Sequence, residues 1–175
     1  KSRRRAVEES MSVLGGQDAG QRQRARHALV AIGEAAAPAL IKALSSPQPL
    51  LRWEAAKALT ELHTPLAAPA LVKALEDRDI DVRWLAAVAL AGLERASLVP
   101  LCEALCDRGE SVWLREGAHH VLRNLSQGEL ADLLEPLLDV LESPAPDLGA
   151  PLIAMELLIT LGNQSARLES MDPHP

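Results

Sequence analysis

The sequence predicts an all-α chain, a right-handed α-solenoid of about five stacked helix pairs, and three observations carry that reading. Leu51-Arg52-Trp53-Glu54-Ala55-Ala56-Lys57-Ala58-Leu59 returns thirty-one residues later as Val82-Arg83-Trp84-Leu85-Ala86-Ala87-Val88-Ala89-Leu90. Pro38, Pro69 and Pro100 keep the same step, and each opens a short apolar run. The 48% apolar content comes mostly from Ala and Leu, with no Phe or Tyr, which suits narrow gaps between helices and favours helix formation. A fixed period of this size marks a stacked repeat, in which a helix pair buries its apolar face only against its neighbours.

Each repeat reads as an outer helix opened by the Pro, a tight turn, and an inner helix opened by a cap. A first outer-type helix is expected over 3–14, with Val7, Met11 and Leu14 on its face. Inner helices are expected near 19–32, 49–62, 80–93, 112–125 and 147–161, and outer helices near 35–45, 66–76, 97–106 and 129–142. In the third inner helix Val82, Ala86, Ala89, Leu90 and Leu93 share one face at about 100° per residue. Asp79 stands at its N-cap, where the carboxylate accepts from an orphan amide. Asp18, Ser111 and Asp147 hold the corresponding site elsewhere, and Pro49 takes a first helical position. Gly33, Gly92 and Gly162 lie near helix ends, where a left-handed residue is useful. The fourth repeat lengthens around Ser126–Glu135, and Pro151 replaces the repeat Arg in the fifth, which predicts an atypical capping repeat. Residues 1–162 read as a single solenoid. From Asn163 to Pro175 there is no apolar period, and a disordered tail is expected.

The charge is uneven. Residues 1–57 carry ten Lys/Arg against five Asp/Glu, and residues 58–175 carry eight against nineteen. The acidic majority opposes a nucleic-acid backbone crossing the whole inner face. No segment approaches the roughly 20 apolar residues of a membrane span, and no secretory signal pattern is present. Two cysteines in a chain of this length fit a reducing compartment, and a cytoplasmic location is expected. The chain does not begin with Met, which fits a processed or excised piece.

Asp79-Ile80-Asp81-Val82-Arg83, the Ala-Ala-x-Ala-Leu runs at 55–59 and 86–90, and Ala-Pro-Ala-Leu at 37–40 and 68–71 resemble the HEAT repeat. The resemblance is to the short HEAT-like form first noted in phycobilisome lyases, and it covers roughly residues 18–142. It is specific for fold and nearly silent on chemistry, because such repeats serve scaffolds and enzymes alike. It implies two functions of different class. One is a non-enzymatic scaffold that binds a protein or peptide. The alternative is a bilin lyase or isomerase-like subunit holding a tetrapyrrole in the same groove, with Arg52 and Arg83 near the propionates.

Arg22, Arg52, Arg83 and Arg115 take equivalent positions at the edge of the core face. They read as a structural ladder bonding turn carbonyls or acids of the neighbouring repeat. Trp84 points away from the core with Ala87, Val88 and Ala91, and Trp53 holds the same position one repeat earlier. The column they define reads Gln23, Trp53, Trp84, Glu116, Leu152. The next column reads His27, Lys57, Val88, His120, Glu156. In a HEAT-like stack both columns line the concave surface. Two indoles on helices about 8–10 Å apart leave a slot for an aliphatic side chain or an extended peptide. Trp is also the residue most enriched at binding hot spots. The other reading has both rings lying flat and sealing neighbouring helices. Trp113, in the first turn of its helix, is expected at the repeat junction.

Cys102 and Cys106 are four apart, as two metal ligands on one helix face would be, but they align with the core leucines Leu40, Leu71, Leu44 and Leu75. Cys in such a site acts as a small hydrophobe. The chain has no His-x-x-x-His and no His-Glu pair of the kind that HEAT-like iron hydroxylases use, so His27, His119 and His120 read as surface residues. No phosphate-cradling glycine loop is present. No catalytic residue, metal or cofactor is expected. The sequence favours a scaffold anchored by Trp53 and Trp84, with Gln23, His27, Lys57, Val88, Glu116 and His120 around them. It names no partner and leaves the oligomeric state open.

Overall fold

The computed structural model describes residues 2–171, which are helical with no strand among them. The chain divides into two compact units between Ser97 and Leu98.

The first unit contains α1 (Arg3–Leu14), α2 (Ala19–Ile32), α3 (Ala37–Ala43), α4 (Pro49–Leu62), α5 (Ala68–Ala74) and α6 (Ile80–Gly92). α1 packs on α2, α2 on α4 and α4 on α6, and the short outer helices α3 and α5 each pack on the inner helix that follows. Leu14, Leu29, Leu40, Leu59, Leu71, Leu75 and Leu90 are fully buried, and Ala55, Ala56, Ala58, Ala86 and Ala89 on the inner helices are buried as well. Each such Leu contributes roughly 1.5–3 kcal/mol relative to exposure. Seven-residue helices are too short to persist alone. Proline in the first turn pre-sets α3 and α5, and single 3-10 turns, Gly33–Ala36 and Pro65–Ala67, lead into them.

Local chemistry sets the helix starts. Asp18 Oδ1 accepts from Gln21 N at 2.7 Å, and Asp79 Oδ1 accepts from Asp81 N at 2.9 Å. The left-handed residue that ends each inner helix is Gly33 (φ 79°), then His63 (φ 51°), then Glu94 (φ 52°). Gly92 is therefore not the left-handed residue of its repeat. It is still helical, and Glu94 two residues on makes the turn.

The second unit contains α7 (Leu98–Arg108), α8 (Val112–Leu125), α9 (Ala131–Leu141) and α10 (Pro146–Met171). Ser111 Oγ caps α8 through Leu114 N at 3.3 Å. Asp147 lies inside the first turn of α10 rather than at its cap, because Pro146 begins the helix. α8 packs on α7 and α9, and α10 packs on α9 and, most extensively, on α7. Among the described residues, α10 does not form the inner-helix stack on α8 that repetition of the first unit would produce.

Two glycines and a proline account for this change. A Cβ on Gly109 would come within 2.6 Å of Pro151 Cγ, and a Cβ on Gly149 would collide with the Val140 side chain. Only the missing side chains let α10 close on the end of α7 and on α9. Pro151 also stands where the other repeats carry the ladder Arg, so it cannot bond a turn carbonyl. Its own carbonyl accepts instead from Cys106 Sγ at 3.5 Å.

α10 continues through Gly162 to Met171, into the stretch from Asn163 onward where a tail is expected. Gln164, Ala166, Arg167, Leu168 and Glu169 are good helix formers that extend a helix already nucleated, with no stop residue before Pro173. The rest of that expected tail, residues 172–175, lies outside the described residues.

Candidate functional site

The ladder arginines share one bond. Arg22 Nη1 donates to Gly16 O at 2.8 Å, Arg52 Nη1 to Ser46 O at 3.0 Å, Arg83 Nη1 to Asp77 O at 2.7 Å, and Arg115 Nη1 to Gly109 O at 2.7 Å. Each reaches the carbonyl six residues back, in the turn that precedes its own helix. Arg52 also bonds the next repeat, donating from Nε to Asp77 Oδ2 at 2.8 Å and from Nη2 to Asp77 Oδ1 at 3.1 Å. Asp77 Oδ1 in turn accepts from Asp79 N at 2.8 Å. One buried guanidinium thus ties a turn, an inner helix and the following turn together. The planar fork is what allows this, and an ammonium could not reproduce it.

Between α2 and α4 the connection is a buried carboxylate. Glu54 Oε1 accepts from Arg22 Nε at 3.2 Å, and Glu54 Oε2 accepts from Arg26 Nη1. The Arg26 guanidinium carbon lies over the Trp53 ring, 5.9 Å from its centroid. Its Nε is 3.9 Å from Glu61 Oε1, an ion pair beyond hydrogen-bond reach, and is buried without a hydrogen-bond partner. The Arg22–Glu54–Arg26 cluster was not expected from the sequence. Its signal was present, however: an acid where the next repeat has Leu85, opposite two arginines spaced four apart on the preceding inner helix.

This cluster supports one wall of an apolar strip. Trp53 is half-buried, while Leu50, Ile80 and Trp84 are exposed, the last two at 68% and 59%. Leu50 and Trp53 lie on α4, Ile80 and Trp84 on α6, and these two helices pack side by side. An open cavity of about 400 Å³ adjoins Trp53, lined by Arg22, Pro49, Leu50, Trp53, Glu54 and Asp79. Trp84 is not among its lining residues. The hollow at Trp53 is therefore made by the start of α4 and the α6 cap. Leu50 and Ile80 were missed because they stand in first helical turns, outside the two columns. Gln23 and His27 are exposed on α2, and Lys57 and Val88 are half-buried on α4 and α6.

In the second unit Glu116 and His120 are exposed on α8. Trp113 is 44% exposed. Glu142 Oε1 faces His119 Nε2 at 2.7 Å and accepts from Arg123 Nη2 at 2.8 Å. The His119 hydrogen bond, helped by the charges of Arg123 and His119, lowers the Glu142 carboxyl below its ordinary range. Cys102 is fully buried, and burial pushes its thiol up to about 12, with Cys106 and Glu103 adding to the rise. Burial likewise raises the half-buried Cys106. Among the described residues no cluster of His, Cys, Asp and Glu could hold a metal ion. None of their helices is long and apolar enough to cross a membrane.

Residues 7–91 match the family model of HEAT repeats. That match covers the repeat class and lends no support to the narrower phycobilisome-lyase resemblance. No curated protein matches the chain significantly. A crystal structure described as an engineered protein is similar at 22% identity, covering 88% of this chain and 79% of that one, with a TM-score of 0.43.

Proposed function

We propose that this chain is a non-enzymatic protein-interaction scaffold whose first unit holds an apolar segment of a partner protein against Trp53 and Trp84. HEAT repeats typically act as protein-interaction scaffolds, and the matched stretch contains both residues. The observation that carries the reading is the strip itself. Leu50, Trp53, Ile80 and Trp84 leave apolar area in water across two packed helices, although the core beneath them is complete. Exposed aromatic and aliphatic side chains grouped beside a hollow mark an interaction surface.

The partner segment is extended and carries at least one aliphatic side chain, sized for the hollow beside Trp53 and Leu50. Gln23, His27, Lys57 and Val88 form the rim that we assign to this face. The anchoring indole is held in place before binding, because Arg26 covers Trp53 and is itself bonded to Glu54. Preorganisation of this kind lowers the entropy lost on association.

Selection of a displayed random-peptide library on the purified chain tests the proposal. Enriched peptides should share an aliphatic position and lose at least tenfold in affinity for the Trp84→Ala and Leu50→Ala variants. No enrichment, or peptides that bind both variants as well as the parent chain, would overturn it.

A further inference from the structure

We infer that α10 is a self-association helix, and that its exposed apolar stripe pairs antiparallel with the same stripe on a second copy of this chain. Leu148, Leu152, Met155 and Ile159 are 73%, 67%, 53% and 60% exposed. Their spacing of four, three and four residues is that of a coiled-coil seam, which keeps one narrow line of side chains facing a partner helix. The opposite side of the same helix is already occupied. Ala150, Ala154, Leu157 and Leu161 are buried, and α7 and α9 are the helices packed on α10. The stripe is therefore surplus to the unit's own core.

The exposed stripe of α10 carries four large apolar residues, whereas the exposed side of α8 in the same unit carries Val112 and Trp113 together with Glu116, His120, Arg123 and Asn124. Gly162 extends the seam, with open space where a Cβ would stand. Glycine weakens a helix interior, and a close approach by another chain is a usual reason for one.

The stripe suits a second copy of itself as occupant, because its spacing reads the same in both directions. A two-fold axis between Leu152 and Met155 sets Leu148 against the partner's Ile159 and Leu152 against the partner's Met155. The nearest charges raise no objection to that register. Glu156 falls opposite the partner's Pro151 and Asp147 opposite the partner's Thr160, so no acid meets an acid. Antiparallel helices also oppose their macrodipoles favourably. A stripe of this kind supplies a patch on the order of 400 Å² per copy. Doubled, that is roughly 800 Å², below the roughly 1,000 Å² that a stable interface clears, so the dimer should be weak and concentration-dependent.

Sedimentation of the full chain across the micromolar to high-micromolar range tests this inference. The weight-average mass should climb toward twice the monomer value, with little dependence on salt. Leu152→Glu and Met155→Glu, both on exposed positions, should stay monomeric with unchanged helical circular dichroism, whereas Trp84→Ala should dimerise normally. Failure of the peptide-binding proposal would leave these results untouched. A parent chain that stays monomeric throughout, or glutamate variants that dimerise like the parent, would overturn the inference. Orientation is read by mixing Leu148→Cys with Ile159→Cys chains under mild oxidation, with the unsubstituted chain as control for the native thiols. The mixed disulfide should exceed either self-disulfide; self-disulfides in excess would overturn the antiparallel arrangement.

Discussion

Arg26 lies over the ring of Trp53 at 5.9 Å while donating to the buried carboxylate of Glu54. The ring's negative face attracts the cation, and the carboxylate fixes where the cation sits. Residues of α2 and α4 are thereby joined through a charge cluster at the rim of the cavity beside Trp53.

Removal of Glu54 should be costly. Glu54→Ala leaves two largely buried guanidinium groups facing each other, and breaking a buried pair in this way costs about 3 kcal/mol. Urea unfolding of the variant should show that loss. Trp53 emission should also shift as Arg26 is released from its fixed position. A loss within experimental error of zero would show that solvent screens the cluster.

The two proposed anchors should behave differently when truncated. Trp84 is 59% exposed, so Trp84→Ala should change stability by less than about 0.5 kcal/mol. Trp53→Ala removes a half-buried ring and its cation–π contact, and should cost about 2 kcal/mol. Paired urea melts measure both. Equal costs would mean that Trp84 is part of the fold's own packing.

Cys102 should make the chain sensitive to alkali. Its thiol is raised from 9.0 to about 12 in the folded state, chiefly by burial. A group whose folded pKa lies above its unfolded value contributes in full below the unfolded value. The contribution is then lost as pH rises toward the folded one. Stability from this thiol should therefore be complete below pH 9.0 and decline between 9.0 and about 12. Cys102→Ala should flatten that part of the stability profile. At pH 8 Cys102 should resist alkylation until the chain unfolds.

The Glu142 carboxyl should titrate through its partners. Its pKa is lowered, with the His119 hydrogen bond as the largest cause. A depressed carboxyl contributes above its unfolded pKa and loses that contribution as pH falls through the folded value. His119→Ala should move the Glu142 midpoint upward in a carbon-detected NMR titration, and Arg123→Ala should move it less. An unmoved midpoint in His119→Ala would mean that the hydrogen bond is absent in solution.

Helix boundaries were most legible where one residue sets them locally. α2, α4 and α8 begin and end where the pattern predicts, because Asp18, Pro49 and Ser111 act on the first turn of their own helices. The arginine ladder was legible for a related reason. The bond six residues back lies within each arginine's own turn, so the repeat carries it, while Arg22 and Arg52 add acids of the following repeat. The cavity beside Trp53 was not legible in this way. It depends on how far α4 and the α6 cap stand apart, which a helical wheel does not contain. Cys102 and Cys106 were placed by alignment alone, and the burial of Cys102 agrees with that placement.

By itself, the sequence determined the repeat, the helices and the residues turned away from each helix's own core. All of these follow from periodicity and from interactions within a few residues. Only the tertiary structure decided what those residues meet. It paired Glu54 with two arginines from another helix and separated Trp84 from the hollow at Trp53. It also turned α10 onto α7 and α9, where Gly109 leaves room for Pro151 and Gly149 for Val140, and Pro151 cannot replace the arginine strut. The physical reason is range. Caps and periods act along the chain, whereas burial, charge pairing and helix docking depend on distances between segments that the sequence places far apart.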